Sequence, residues 1–232
     1  MRRGYYGRHR QWRLGTLLVL ILLIAVFLVS CMAGGNVLWV KGIFGWDSED
    51  LDREATVSKL DPTGELSNRL CASVLSVTEN RTSLDEFSTS HEAAALYREE
   101  VLGTMLLENY SAYTGNSALL REAEREYPRM NLVTLIPEDA LEERLTQLFG
   151  GSGIGHKSTG VFTYLDRVGM YTTAVGAREE KARISVLSLE ETEHSYRMRF
   201  VLSLGRETSD AYTAIFEKRE GGAFVWKMLR VG

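Results

Sequence analysis

Acid is missing from the first 46 residues, and proline and cysteine are scarce along the whole 232-residue chain. Each shortage excludes something. Three prolines, with 44% apolar and 25% charged residues, exclude a disordered polar chain. Two cysteines, Cys31 and Cys71, are too few for a disulfide framework. Four histidines, one of them His9 in the basic start, form no dense cluster with cysteine, so no metal or other cofactor is expected. No internal period of a solenoid occurs. All 31 acidic residues follow Trp46, whereas Arg2, Arg3, Arg8, Arg10 and Arg13 crowd the first 13 positions. Beyond residue 33, 22 basic residues of the chain's 27 face those 31 acids. Phosphate contacts need clustered Lys and Arg, so an acidic region of this kind is a poor nucleic-acid binder.

The first thing present is a long apolar run. Leu14 to Ala33, LGTLLVLILLIAVFLVSCMA, holds 20 residues without one charge. As a helix it covers about 30 Å, the hydrocarbon thickness of a bilayer. The arginines before it favour the cytoplasmic side, and Tyr5, Tyr6, Trp12, Trp39, Phe44 and Trp46 flank it as interfacial anchors would. The expectation is a basic cytoplasmic tail (1–13), a transmembrane anchor (14–33), a juxtamembrane linker (34–62) that is polar and acidic from Asp47, and an extracytoplasmic domain (63–232). An alternative lies at Cys31. Leu28-Val29-Ser30-Cys31 resembles the lipobox of bacterial lipoproteins, which implies cleavage before Cys31 and lipidation of its thiol. Against it stand the long basic start and the apolar, aromatic residues after Cys31.

Beyond the linker the apolar period is first helical, then two. Helices are expected over 63–77, on the Leu66, Leu70 and Val74 stripe; over 89–109, opened by the capping-box pattern Thr89-x-x-Glu92; and over 116–127. NLVTLI (131–136) reads as a short strand. A fourth helix starts at Pro137-Glu138-Asp139 and ends at Gly150. After Gly160 come VFTYL and MYTTA, a hairpin around Asp166–Gly169. RISVLSLEET follows, then YRMRFVLSLG, which places Tyr196, Met198, Phe200, Leu202 and Leu204 on one face and Arg197 and Arg199 on the other. A last hairpin turns at Gly221-Gly222. The fold class expected is α+β: the transmembrane helix, several helices, and a C-terminal curved antiparallel sheet with the helices on its concave side.

Chemical motifs are sparse. GSGIGHKS (151–158) misses the phosphate-cradling pattern G-x-x-x-x-G-K-[ST] by one letter, with His156 where glycine is required. A helix feeds into it and a strand leads out, the reverse of a phosphate loop, so no nucleotide is expected. It reads as a helix-to-sheet connector, with His156 and Lys157 as polar tips able to touch a ligand. His91-Glu92-x-x-Ala95 lacks the second histidine of a zinc-protease helix. Glu138, Asp139, Glu142 and Glu143 read as a solvated helix face beside Arg144. Cys71 reads as a buried structural thiol. Aromatic residues of the expected sheet, Tyr164, Tyr171 and Trp226, are the remaining candidates to line a contact site with His156 and Lys157.

The layout of helices followed by a meander closing on FEKREGGAFVWKMLRV resembles nuclear-transport-factor-2-like and cystatin-like folds. The whole chain resembles single-span cell-envelope proteins of Gram-positive bacteria. That resemblance implies a fold class and an address, not an activity. The function expected is binding, without catalysis, to another envelope protein or a wall component. The alternatives are an assembly scaffold of a secretion or conjugation machine, which the order tail, span, outer domain resembles, and a hydrolase of wall polymers.

Overall fold

Helices fill the first half of the described chain and strands the second, as the change of apolar period dictates. The computed structural model describes residues 46–78, 82–151, 153–174 and 182–232. The chain divides into Met1–Trp46 and Asp47–Gly232, and every element below belongs to the latter. In chain order these are helix α1 (Ser48–Arg53), strand β1 (Ser58–Leu60), helices α2 (Glu65–Thr78), α3 (Ser90–Leu96), α4 (Arg98–Glu108), α5 (Tyr110–Tyr113) and α6 (Ser117–Glu126), strand β2 (Thr134–Pro137) and helix α7 (Glu138–Phe149). Strands β3 (Thr163–Leu165), β4 (Met170–Thr173), β5 (Arg183–Glu191), β6 (Ser195–Leu204), β7 (Glu207–Thr208), β8 (Tyr212–Lys218) and β9 (Phe224–Val231) follow. The expected span 14–33 and Cys31 lie outside the described residues. Among the described residues no helix is long and apolar enough to cross a membrane.

The fold is α+β. The larger sheet is antiparallel in the order β1-β5-β6-β8-β9, with β7 on β6. Alternation in β6 works as its sequence dictates: Met198, Phe200 and Leu202 are buried in the main core, while Arg199 is exposed. The same core takes Leu70, Val74 and Val77 from α2, Val101, Leu102 and Met105 from α4, and Leu141, Leu145 and Phe149 from α7. At its centre Phe87, Tyr97, Phe149, Phe216 and Trp226 pack ring to ring, with centroids 5.2 Å apart for Phe87–Trp226 and 5.6 Å for Phe216–Trp226. Edge-on and offset pairs of this kind add about 0.5–1.5 kcal/mol each beyond the area they bury.

Four expectations change. The segment from Asp47 to residue 62 is not a linker. Leu51 of α1 is fully buried, and β1 pairs with β5 in the register Ser58↔Glu191. The segment is tied in by polar contacts: Arg230 pairs with Asp52 at 2.5 Å, and Arg197 donates to the backbone carbonyls of Asp52 and Glu54. The second face of the sheet is therefore covered in part, where α1 lies over β8 and Ile215 is fully buried, while Leu187 and Arg199 stay exposed. The helix expected over 89–109 breaks at Tyr97 (φ −103°, ψ 12°), whose buried ring joins the aromatic centre and whose hydroxyl donates to the Asp85 carbonyl at 2.5 Å. Finally, the hairpin β3–β4 leaves the meander and forms a separate sheet, β2-β4-β3. All four residues of β4 are buried, because Tyr171 joins the main core while Met170 packs with Leu135, Leu165 and Ala123 in a second, smaller one.

Candidate functional site

Helix geometry and strand register bring the candidate residues together. Pro137 caps α7, and the Glu138 N–H donates to the Gly169 carbonyl at 2.9 Å. Glu142 then lies one turn above Glu138 on the same face. Gly150 ends the helix with φ +78°, as the left-handed residue after a helix requires. Residues 153–162 cross to β3 without helix or strand. The turn after β3 reverses at Gly169, where φ is +59° and an added Cβ would stand 2.9 Å from the Glu138 carboxyl carbon. Strand β4 returns with Tyr171 directly opposite Tyr164, their rings 5.0 Å apart.

His156 turns inward onto this pair. Its ring stacks on Tyr164 at 5.5 Å and 25°. Its Nδ1 is 3.0 Å from the Tyr171 hydroxyl, and its Nε2 is 3.0 Å from Glu142 Oε1 and 4.0 Å from Glu138 Oε2. The Tyr164 hydroxyl donates to Glu138 Oε2. The His156 side chain is 13% exposed, whereas Glu138 and Glu142 are 40% and 47% exposed. A carboxylate against Nε2 keeps a proton on that nitrogen, so in the neutral ring Nδ1 accepts from the Tyr171 hydroxyl. Carboxylate, imidazole and hydroxyl thus stand in the order that a hydrolytic triad uses. The hydroxyl at the end, however, belongs to a fully buried tyrosine.

Electrostatics follow from these contacts. The hydrogen bond to the Glu138 carboxylate, then burial and the charge of Glu138, push the Tyr164 hydroxyl up to about 12. Burial raises the Tyr171 hydroxyl as well, outweighing the Arg98 guanidinium and the Lys157 backbone N–H, which act the other way. Arg98 opens α4 and is only 4% exposed. It donates from Nη2 to the Gly155 carbonyl at 2.9 Å and from Nη1 to the Lys157 carbonyl at 3.2 Å. Among the described residues no group of three or more His, Cys, Asp or Glu side chains is arranged to hold a metal ion.

Of the five candidates, Tyr164, Tyr171 and His156 meet, with the exposed Lys157 beside them. His156 is an inner pin of the connector and not an outer tip. Trp226 lies apart, fully buried in the aromatic centre, its indole N–H donating to the Met228 carbonyl at 2.8 Å. Sequence reasoning missed Glu138 and Glu142 as partners of His156, since a contact across the connector has no periodic signature. Arg98 did carry a signal: it stands three and four residues before Val101 and Leu102, on the apolar stripe of its helix. No family model, curated protein or solved structure matches the chain.

Proposed function

We propose that the chain is a single-pass protein of the bacterial cell membrane, with residues 1–13 cytoplasmic, 14–33 in the bilayer and the domain from Asp47 outside. The uncharged run and the one-sided arginines support that topology. Helices laid on an antiparallel sheet support the general class to which nuclear-transport-factor-2-like and cystatin-like folds belong. The domain works by binding an envelope protein or a wall component, without catalysis. The observation that carries this reading is the site around His156. There a partly exposed tyrosine and two half-exposed carboxylates meet, with the exposed Lys157 next to His156 in the chain, while the Tyr171 side chain is fully buried in this conformation.

Protease added to intact cells is expected to remove the domain and leave the tail protected; a fully protected domain would overturn the topology. Amine cross-linking on intact cells is expected to capture one reproducible envelope partner or wall fragment, and Tyr164→Ala is expected to lose it. Capture by both chains alike would place the contact elsewhere, and turnover of purified wall by the domain would overturn binding without catalysis. The Ser30-Cys31 pattern favours a second reading, a lipoprotein anchored at Cys31. The mass of the mature protein decides: an intact first residue supports the span, and an acylated chain starting at Cys31 supports the lipoprotein.

A further inference from the structure

Arg98 is a buried cation with an unusual set of partners. Guanidinium groups stay charged, and a charge out of water normally has a carboxylate beside it. Among the described residues Arg98 has none within ion-pair distance, and its Nε–H has no hydrogen-bond partner. What occupies its fork is backbone: the carbonyls of Gly155 and Lys157, two oxygens presented to Nη2 and Nη1. A carboxylate or phosphate presents two oxygens to the same nitrogens, with charge added. The Tyr171 hydroxyl lies beside the guanidinium, and the Lys157 ammonium is exposed on the strap itself.

The strap is held mostly by side chains. Between Gly153 and Gly160 no helix or strand forms, and Gly153 itself has φ +32°. Ile154 is buried in the core, His156 is pinned by Glu142 and Tyr171, and Glu99 accepts from the Val161 N–H at 3.1 Å. Releasing the His156 pin is the local step that would lift the two carbonyls from the guanidinium.

We propose that Arg98 is a recessed binding site for an oxyanion group, a carboxylate or a phosphate. The backbone of residues 155–157 stands in for that group when the site is empty and swings away when the anion arrives. The anion takes the fork of Arg98, with Tyr171 and Lys157 as its further donors. This site lies behind the outer surface around Tyr164 and shares His156 and Lys157 with it. The His156 pin lowers apparent affinity, because a ligand that needs a minor state binds more weakly by the population of that state.

The full chain, purified in detergent, is titrated with inorganic phosphate and with acetate, with chloride as the control. His156→Ala is expected to bind one of the two oxyanions about tenfold more tightly than the unaltered chain, and Arg98→Met is expected to lose that binding. Response to phosphate alone assigns a phosphoryl ligand, and response to acetate alone assigns a carboxylate. A second measurement avoids the buried substitution: trypsin cleavage after Lys157 of the unaltered chain is expected to quicken several-fold with the bound oxyanion and not with chloride. Failure of both oxyanions to bind His156→Ala, or cleavage after Lys157 that is indifferent to them, would overturn the proposal. Arg98 would then be only a staple for the connector.

Discussion

Gly169 has no side chain because two demands meet there. Its φ of +59° disfavours any Cβ, and the space a Cβ would take belongs to the Glu138 carboxyl. Gly169→Ala is expected to lose about 1–3 kcal/mol in urea unfolding. It should also release the Tyr164 hydroxyl, because Glu138 must move. Tyr164 reports that release directly. Its hydroxyl is raised to about 12, so the hydrogen bond to Glu138 stabilises the fold fully below the ordinary tyrosine value of about 10. That contribution fades as pH rises through about 12. In a carbon-13 titration of labelled tyrosines, Glu138→Gln is expected to bring this transition back toward the ordinary value. An unmoved transition would show that Glu138 is not its cause.

At the scale of elements, the aromatic centre ties β8 and β9 to α7 and to the break between α3 and α4. Trp226→Ala is expected to cost about 3–5 kcal/mol, since the hole left among Phe87, Tyr97, Phe149 and Phe216 has no small residue to fill it. A urea midpoint unchanged within error would contradict this. The helices of the core and the meander were legible because their apolar periods are long and unbroken, as in Leu66, Leu70, Val74 and in the alternation of β6. The break at Tyr97 was not legible: Ala94 and Val101 continue one stripe across it, and only the demand of the aromatic centre for that ring interrupts the helix. Strand β2 was legible as a strand but its pairing was not, because register between strands distant in sequence leaves no periodic mark. The site divides the same way. Tyr164 and Tyr171 face each other across a hairpin that the sequence announces, whereas Glu142 reaches His156 through a turn in the chain that periodicity cannot trace.

At the scale of the whole domain from Asp47, one carboxylate, Glu54, joins Asp52 and β1 in holding the acidic first segment to the sheet. Burial works against the charge of Glu54, but the Thr192 hydroxyl and the backbone N–H and ring of His194 outweigh it and hold the carboxyl below its usual range. The sign follows: this stability is present above the ordinary glutamate value and is lost as pH falls through the lowered one. Glu54→Gln is therefore expected to flatten the fall of the urea midpoint with acidification below about pH 5. Parallel slopes for the two chains would remove Glu54 as the pin. The same segment carries a consequence for where the domain can be cut. A fragment starting at residue 63 lacks α1 and β1, so it opens Ile215 to water and strips the hydrogen-bonding rim of β5 at Leu189–Glu191. Bare strand rims pair with copies of themselves. Such a fragment is expected to elute as aggregate in size-exclusion chromatography, where one starting at Asp47 elutes as a discrete species.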